Sequence, residues 1–262
     1  LQVSIHPTSI ISKEAEIGSN VKIGPFCVIK GRVKIGNDCV LDSHVSLGND
    51  HGVVELGKAN VLLAGAAVGG PPQDLSYAGE PTKLVIGDSN TIREFATLNC
   101  GTPKGGALTQ VGSHCLIMSY AHVAHDCKIG DHVVIANSTQ LAGHVVFEDH
   151  VKVGGMCGFN QFVRVGKYAF IAGDAGVNKD ILPFTIAQGK YAVMRACNSI
   201  GLERAGFTKE DIEAIKGAIR IVTKGGGTIE ESIARIQAEI LMTPSVQYFV
   251  DTMKSSTRGI AL

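Results

Sequence analysis

The residues of this chain whose types and spacing suit chemistry gather at His122-Val123-Ala124-His125-Asp126-Cys127, with Gly143-His144 eighteen positions beyond the pair His125-Asp126. An imidazole titrates near neutrality, so it can take a proton from a hydroxyl and return it to a leaving group, an effect typically worth ~10²–10⁴-fold. Asp126 is the neighbour that would orient such a base, although adjacent side chains often point apart. A glycine nearby offers an unhindered peptide N–H to a developing oxyanion. Acyl transfer fits these parts. Two other readings stay open on spacing alone. One is ordinary surface histidines beside a structural aspartate. The other is a zinc site in which His122, His125 and His144 converge, without any carboxylate or thiol spacing to support it. The segment Gly69-Gly70-Pro71-Pro72 and the glycines at 101, 105 and 106 lack the strand-to-helix setting of a phosphate loop and read as surface loops.

What joins His125 to Gly143 is a repeat. Stepping by six from Ile5 meets Ile11, Ile17, Ile23, Ile29, Ile35, Leu41 and Leu47. The pattern resumes at Leu56, Leu62 and Val68, again at Ile86, Ile92 and Leu98, and then runs unbroken from Val111 to Val177, giving 26 hexads. Six is a multiple of the strand period of two and not of 3.6, so helices are excluded and short strands joined by corners are predicted. Four residues after each aliphatic stands a small or β-branched side chain, such as Ala15, Val21, Cys27, Val33, Cys39 or Val45, with the same inward parity. Glycine often follows the aliphatic, as at Gly18, Gly24, Gly36, Gly130, Gly154 and Gly166, where a tight corner favours a residue free of Cβ strain.

Three strands and three corners close a coil of 18 residues, and residues 18 apart stack at ~4.8 Å. Roughly 40 Å of prism follows. In this frame Gly143 and then Gln161 stand above His125, and His144 stands above Asp126. His125 falls at a corner, so its imidazole is expected to face solvent or a neighbouring subunit. The interruptions at 69–85 and 99–110 predict loops thrown out of the coil, the usual place for sites. The period does not fix the hand of winding.

Composition narrows the function. The 24 basic and 24 acidic residues cancel, so massed positive charge for nucleic acid or anionic lipid is absent. No apolar run is long enough to span a membrane, and Leu1-Gln2-Val3-Ser4 has no signal-peptide pattern, so a cytoplasmic protein without stable membrane insertion is expected. Seven cysteines without a Cys-x-x-Cys pair read as reduced thiols, five of them in the small inward slot. Beyond Gly189 the spacing turns helical. Ile212, Ile215, Ile219 and Val222 make one stripe after Thr208, Thr228-Ile-Glu-Glu231 opens a second helix with a capping box, and Thr243-Pro244-Ser245 precedes a third.

These residues resemble a known family, the bacterial UDP-N-acetylglucosamine 3-O-acyltransferases. The likeness rests on Gln73-Asp74-Leu75, Tyr77-Ala78-Gly79-Glu80-Pro81-Thr82, Ala121 to Cys127, Leu141-Ala142-Gly143-His144, Gly154-Gly155-Met156, Ile186-Ala187-Gln188-Gly189 and Ser256-Thr257-Arg258-Gly259. It implies a mainly β protein, a left-handed parallel β-helix of hexapeptide repeats over residues 1–186, followed by a C-terminal α-helical domain over 187–262. It further implies a homotrimer with sites between subunits. The reaction would move an R-3-hydroxyacyl group from acyl carrier protein to the glucosamine 3-hydroxyl of UDP-N-acetylglucosamine, the first step of lipid A synthesis. No metal or cofactor is implied, because the phosphopantetheine thioester of the carrier is the donor.

By the same resemblance His125 is the general base, Asp126 supports it, and the Gly143 amide stabilises the oxyanion. Asp74, His122, His144 and Gln161 match contacts to the sugar nucleotide or acyl chain, and Asn198 and Arg204 match those to the uridine diphosphate. Gly155 matches a backbone contact to the donor. Gly173, one coil above it, matches the position limiting acyl length, and glycine there implies a chain of about fourteen carbons. Three positions depart from the family pattern: Ser76 where lysine is common, Asn160 where histidine is common, and Ile200 where an acidic residue helps hold the nucleotide. They bear on substrate contacts and on a 3-hydroxyl against a 3-amino acceptor, and leave the base and the oxyanion donor untouched. The competing functions are a sister N-acyltransferase, ranked lower because its usual extra N-terminal domain does not precede the coil beginning by Ile5, a zinc hydratase on the same fold, and a non-catalytic sugar-nucleotide-binding module.

Overall fold

In the computed structural model, which describes residues 3–262, the hexads form short parallel strands wound three to a coil. Leu1 and Gln2 of the N-terminal stretch lie outside the described residues. Register confirms the eighteen-residue turn: Gln110 pairs with Lys128, Lys128 with Val146, and Val146 with Arg164, all parallel. The aliphatic and the small residue four later both point inward, so Ile29, Val33, Ile35, Cys39, Leu41 and Val45 are all buried. Six of the seven free cysteines are buried, and burial pushes the Cys100 and Cys115 thiols up to about 11. They are inert packing groups. Ile5 stands 41% exposed, with no coil beneath it among the described residues.

The glycine that follows each aliphatic has a different cause from the one expected. Gly18, Gly36 and Gly154 do not take positive φ; the left-handed corner residue is the one two places on, and it is rarely glycine, for example Asn20 (φ 59°), Asp38 (φ 60°) and Met156 (φ 57°). Close stacking is what excludes a side chain at the glycine. A Cβ on Gly36 would lie 2.5 Å from the carbonyl carbon of Gly57 in the next coil, and one on Gly154 would lie 2.5 Å from the amide nitrogen of Gly173.

Both interruptions leave the prism at one edge. Strands Val28–Ile35 and Ser46–Leu56 run continuously around it, and higher up the segments between Gly70 and Lys83 and between Asn99 and Leu108 loop out from it. Thr97 pairs with His122 and Leu108 with Lys83, so the corner at His125 is the next one up on that same edge.

The sheet does not stop at residue 186. Thr185–Gln188 adds to the prism and Val193–Cys197 folds back antiparallel on it, so the helical part begins at Ser199 rather than at 187. Four helices follow in place of the three expected: α1 (Ser199–Arg204), α2 (Lys209–Lys224), α3 (Ile229–Glu239) and α4 (Pro244–Ser255). The short α1 carried no apolar stripe that could announce it. Thr208, Thr228 and Thr243 cap the other three, and Thr228 with Glu231 forms the expected capping box.

The helices are fastened to the prism through Glu148. Its carboxylate accepts hydrogen bonds from the Arg164 guanidinium, from the Lys167 amide and from the Tyr248 hydroxyl of α4. Burial, and then the carboxylate itself, push the Tyr248 hydroxyl above the usual tyrosine range, so the phenol stays a donor. Tyr248→Phe leaves a largely buried carboxylate short of one donor and is expected to cost about 1–3 kcal/mol. Thermal unfolding checks this, and an unchanged melting temperature would show that the clamp contributes nothing.

Candidate active site

At the corner above the two loops, His125 and Asp126 converge. Asp126 adopts φ 61°, and this left-handed turn swings its side chain back so that His125 Nδ1–H donates to Oδ2 at 2.7 Å. The tendency of neighbouring side chains to diverge, which holds along an extended strand, is thus overcome at the corner. Both carboxylate oxygens are engaged. Oδ1 accepts from the Thr102 amide at 2.8 Å, Oδ2 accepts from the Thr102 hydroxyl at 2.7 Å, and the Asp126 amide donates to Thr109 Oγ1 at 2.8 Å. Engaging Nδ1 fixes the tautomer, so Nε2 is the nitrogen left with a lone pair for a substrate proton.

His125 is only 5% exposed, so of the two expectations for a corner imidazole, solvent or a neighbouring subunit, the first does not hold. The coil above covers it. Gly143 sits so close that a Cβ there would lie 2.4 Å from His125 Cε1 and 2.8 Å from Nε2. His144 closes one flank, its ring edge-on to His125 at 5.3 Å and its Nε2 3.7 Å from Asp126 Oδ2, while its other face stacks on Phe162 at 4.3 Å. The column of 125, 143 and 161 is therefore real.

A groove of about 490 Å³ opens from this corner, lined among others by Gln73, His122, His125, Gly143, Asn160 and Gln161. Its floor is the outer face of the stacked strands containing Gln140, Gly158 and Gly176, where a Cβ on Gly158 would meet nothing within 4 Å. These strands carry the corner of His125 and Gly143 at one end and, at the other, the corner of Gly155 and Gly173, which stack so that a Cβ on Gly173 would lie 3.4 Å from the Gly155 carbonyl oxygen. His122 Nδ1 lies 2.7 Å from Thr97 Oγ1, and burial, followed by the neighbouring His125, holds its pKa below the usual imidazole range. His144 is lowered too, chiefly by burial, with Asp126 opposing.

Asp74, on the first loop, accepts from the Ser76 amide and hydroxyl at 2.7 and 2.8 Å, and those bonds hold its carboxyl below the usual range. Asn198 and Arg204 lie elsewhere. With Ile200 they line a second cavity of about 760 Å³, against His150, Lys152, Tyr168 and Phe170 on a different edge of the prism. Asn198 there caps α1, its Oδ1 accepting from the Gly201 amide at 3.3 Å and its Nδ2 donating to the Tyr168 carbonyl at 2.9 Å.

His125, Asp126 and His144 place one ligand atom each within 4.8 Å of one another. The aspartate's oxygens are, however, already spent on Thr102 and His125, as suits a hydrogen-bonded base more than a metal ligand set. Sequence reasoning missed Thr102 and Thr109, and it quoted Gln73 as part of the family likeness without giving it a place in the site. Eighteen-residue counting cannot place Thr102 beneath Asp126, because the intervening loop breaks the count.

Two family profiles match the chain. One, described as UDP N-acetylglucosamine O-acyltransferase, domain 2, covers residues 180–261, and the other, bacterial transferase hexapeptide (six repeats), covers 14–49 and 108–143. The chain is 47% identical over 256 residues to the acyl-[acyl-carrier-protein]–UDP-N-acetylglucosamine O-acyltransferase of Myxococcus xanthus, with 98% of each chain covered. Among solved structures it is similar to the Francisella novicida UDP-N-acetylglucosamine acyltransferase (38% identity, 98% of this chain and 93% of that one, TM-score 0.91). The Moraxella catarrhalis UDP-N-acetylglucosamine O-acyltransferase is likewise similar (36% identity, 98% and 99%, TM-score 0.93).

Proposed function

The chain belongs to the UDP-N-acetylglucosamine O-acyltransferases, and from that membership we propose how its residues carry out the transfer. The enzyme passes an acyl group from acyl carrier protein to UDP-N-acetylglucosamine in lipid A biosynthesis, on a left-handed parallel β-helix with a helical C-terminal region. His125 Nε2 takes the proton of the glucosamine 3-hydroxyl as that oxygen attacks the thioester carbonyl of the R-3-hydroxyacyl donor. Asp126 supports the imidazolium formed, and the Gly143 N–H receives the charge that develops on the carbonyl oxygen. Collapse expels the phosphopantetheine thiolate, which takes the proton back. No metal and no further cofactor enters this scheme. The observation that carries it is the buried imidazole bonded through Nδ1 to Asp126 and seated beneath a glycine, at the head of an open groove.

Asp74, His122, His144 and Gln161 surround the acceptor sugar and the first acyl carbons. The bare strand face leads the chain toward Gly155 and Gly173, where the absence of a side chain admits a long acyl group. The nucleotide residues Asn198 and Arg204 lie on another edge of the same chain. A homotrimer with sites between subunits unites the two cavities, and the separation of those cavities supports it. We place the enzyme in the cytoplasm, where its carrier and nucleotide substrates meet and its thiols stay reduced. Among the described residues no helix is long and apolar enough to cross a membrane.

The test is direct. Purified protein given R-3-hydroxyacyl carrier protein and UDP-N-acetylglucosamine is expected to yield a nucleotide acylated at O3, seen by mass spectrometry and NMR. The 3-amino analogue, assayed in parallel, is expected to be the poorer acceptor. An unacylated nucleotide in the presence of competent donor overturns the assignment, and preferential N-acylation moves it to the sister reaction.

A further inference from the structure

The second loop supplies the residue that grips Asp126, and the transfer scheme above gives that residue no part. Thr102 holds the carboxylate at two points: its amide donates to Oδ1 at 2.8 Å and its hydroxyl to Oδ2 at 2.7 Å. Two-point attachment fixes rotation about the Cβ–Cγ bond, so Oδ2, which also accepts from His125 Nδ1 at 2.7 Å, stays turned toward the imidazole. The hydroxyl has a single hydrogen to give, and its oxygen is itself engaged, because the Gly105 amide donates to Thr102 Oγ1 at 3.3 Å. Thr102 is seated by a closed turn. Its carbonyl accepts from the amides of Gly105 at 3.0 Å and Ala107 at 2.8 Å, around the single 3₁₀ turn Pro103–Gly105. That turn packs on the carboxylate, where a Cβ on Gly105 would fall 2.0 Å from Asp126 Cγ and 2.2 Å from Oδ1. Thr102 and Asp126 are both buried, so bulk water is not at hand to replace the hydroxyl.

We propose that Thr102 is a positioning residue for acyl transfer: its hydroxyl, seated by the Pro103–Gly105 turn, keeps Asp126 Oδ2 on His125 Nδ1 and thereby keeps Nε2 aimed into the groove. This rests on the acyl-transfer reading, in which that imidazole is the base. Thr102 does not line the groove, so it acts through the carboxylate and not on substrate. Without the hydroxyl the carboxylate pivots on its Oδ1 bond alone, and misplacement of a reacting group by about 1 Å can cost on the order of 10²-fold in rate.

Thr102→Val keeps the side chain's shape and removes its hydroxyl. It is expected to lower kcat about 10–10²-fold, with KM for either substrate changed by less than about threefold. Thr102→Ser, which keeps the hydroxyl, is expected to retain most of the turnover. Thermal unfolding and sedimentation put the rates on a per-folded-molecule basis. The decisive arm is the Asp126→Ala background. A residue acting through the carboxylate has nothing left to position there, so adding Thr102→Val is expected to change the residual turnover by less than about twofold. Gly105→Ala probes the same contact from the turn, and decides the matter should Thr102→Val not fold. Its methyl meets the carboxylate and is expected to lower kcat, whereas in the Asp126→Ala background, where that collision is gone, it is expected to cost nothing further. Unchanged kcat in Thr102→Val, a loss that serine does not rescue, or a loss of equal size in the Asp126→Ala background overturns the proposal. Failure of the acyl-transfer reading shows separately in the same assay, as wild-type protein that forms no acylated nucleotide.

Discussion

Replacing His125 by alanine lowers kcat for acyl transfer by about 10²–10⁴-fold, the span expected on losing a positioned general base, with the fold intact. The fold survives because His125 is not part of the aliphatic interior; it is buried between a corner and the coil above it, while Val123 and Cys127 on either side point into the prism. Asp126 keeps its two bonds from Thr102, so its carboxylate is not orphaned when the imidazole goes. KM for the nucleotide is expected to move little, since Asn198 and Arg204, the residues proposed to hold the uridine diphosphate, line a different cavity of the chain and are left unchanged. The readouts are steady-state kinetics beside circular dichroism and sedimentation. A variant that keeps normal turnover as a folded protein removes His125 from the role of base and returns the site to its other histidines.

How much of this was legible before any coordinates depends on which residues the repeat reaches. Between Val111 and Val177 an inward aliphatic or phenylalanine recurs every six residues, and every pairing there follows the count, so the column of His125, Gly143 and Gln161 and the approach of His144 to Asp126 could be read by arithmetic. Where the chain leaves the coil, arithmetic fails. Thr102, which fixes Asp126 from below, comes from a loop whose path is set by tertiary contacts and by no local pattern. The corner glycines show a subtler gap. Their presence was legible and their cause was not, since the close approach of Gly36 to Gly57 is a property of stacked coils and not of one residue's dihedral preference. Burial of His125 belongs with these, because a periodicity gives the direction of a side chain at a corner but not what the next coil lays over it.

That overlay also makes Gly143 a position where one methyl group acts directly on the proposed base. Gly143 does not occupy the left-handed region, so alanine meets no backbone strain. The new Cβ would instead stand 2.4 Å from Cε1, 2.8 Å from Nε2 and 3.0 Å from Nδ1 of His125, all atoms of one side chain and none of the main chain. The imidazole is the part free to yield. Moving it breaks the Nδ1–Oδ2 bond to Asp126, turns Nε2 away from the groove and interposes a methyl between the residue-143 amide and an incoming carbonyl. An oxyanion donor alone is worth about 10²–10³-fold in kcat, and displacement of the base compounds it, so Gly143→Ala is expected to lose at least about 10²-fold in turnover while folding normally. Gly36→Ala is the contrast. There the Cβ would meet the Gly57 backbone at 2.5 Å, so the cost falls on stability, with activity per folded molecule retained. Comparing kcat with melting temperature for the two variants separates the cases, and a Gly143→Ala enzyme with unimpaired kcat would mean that the base and the amide do not meet the same reacting carbonyl.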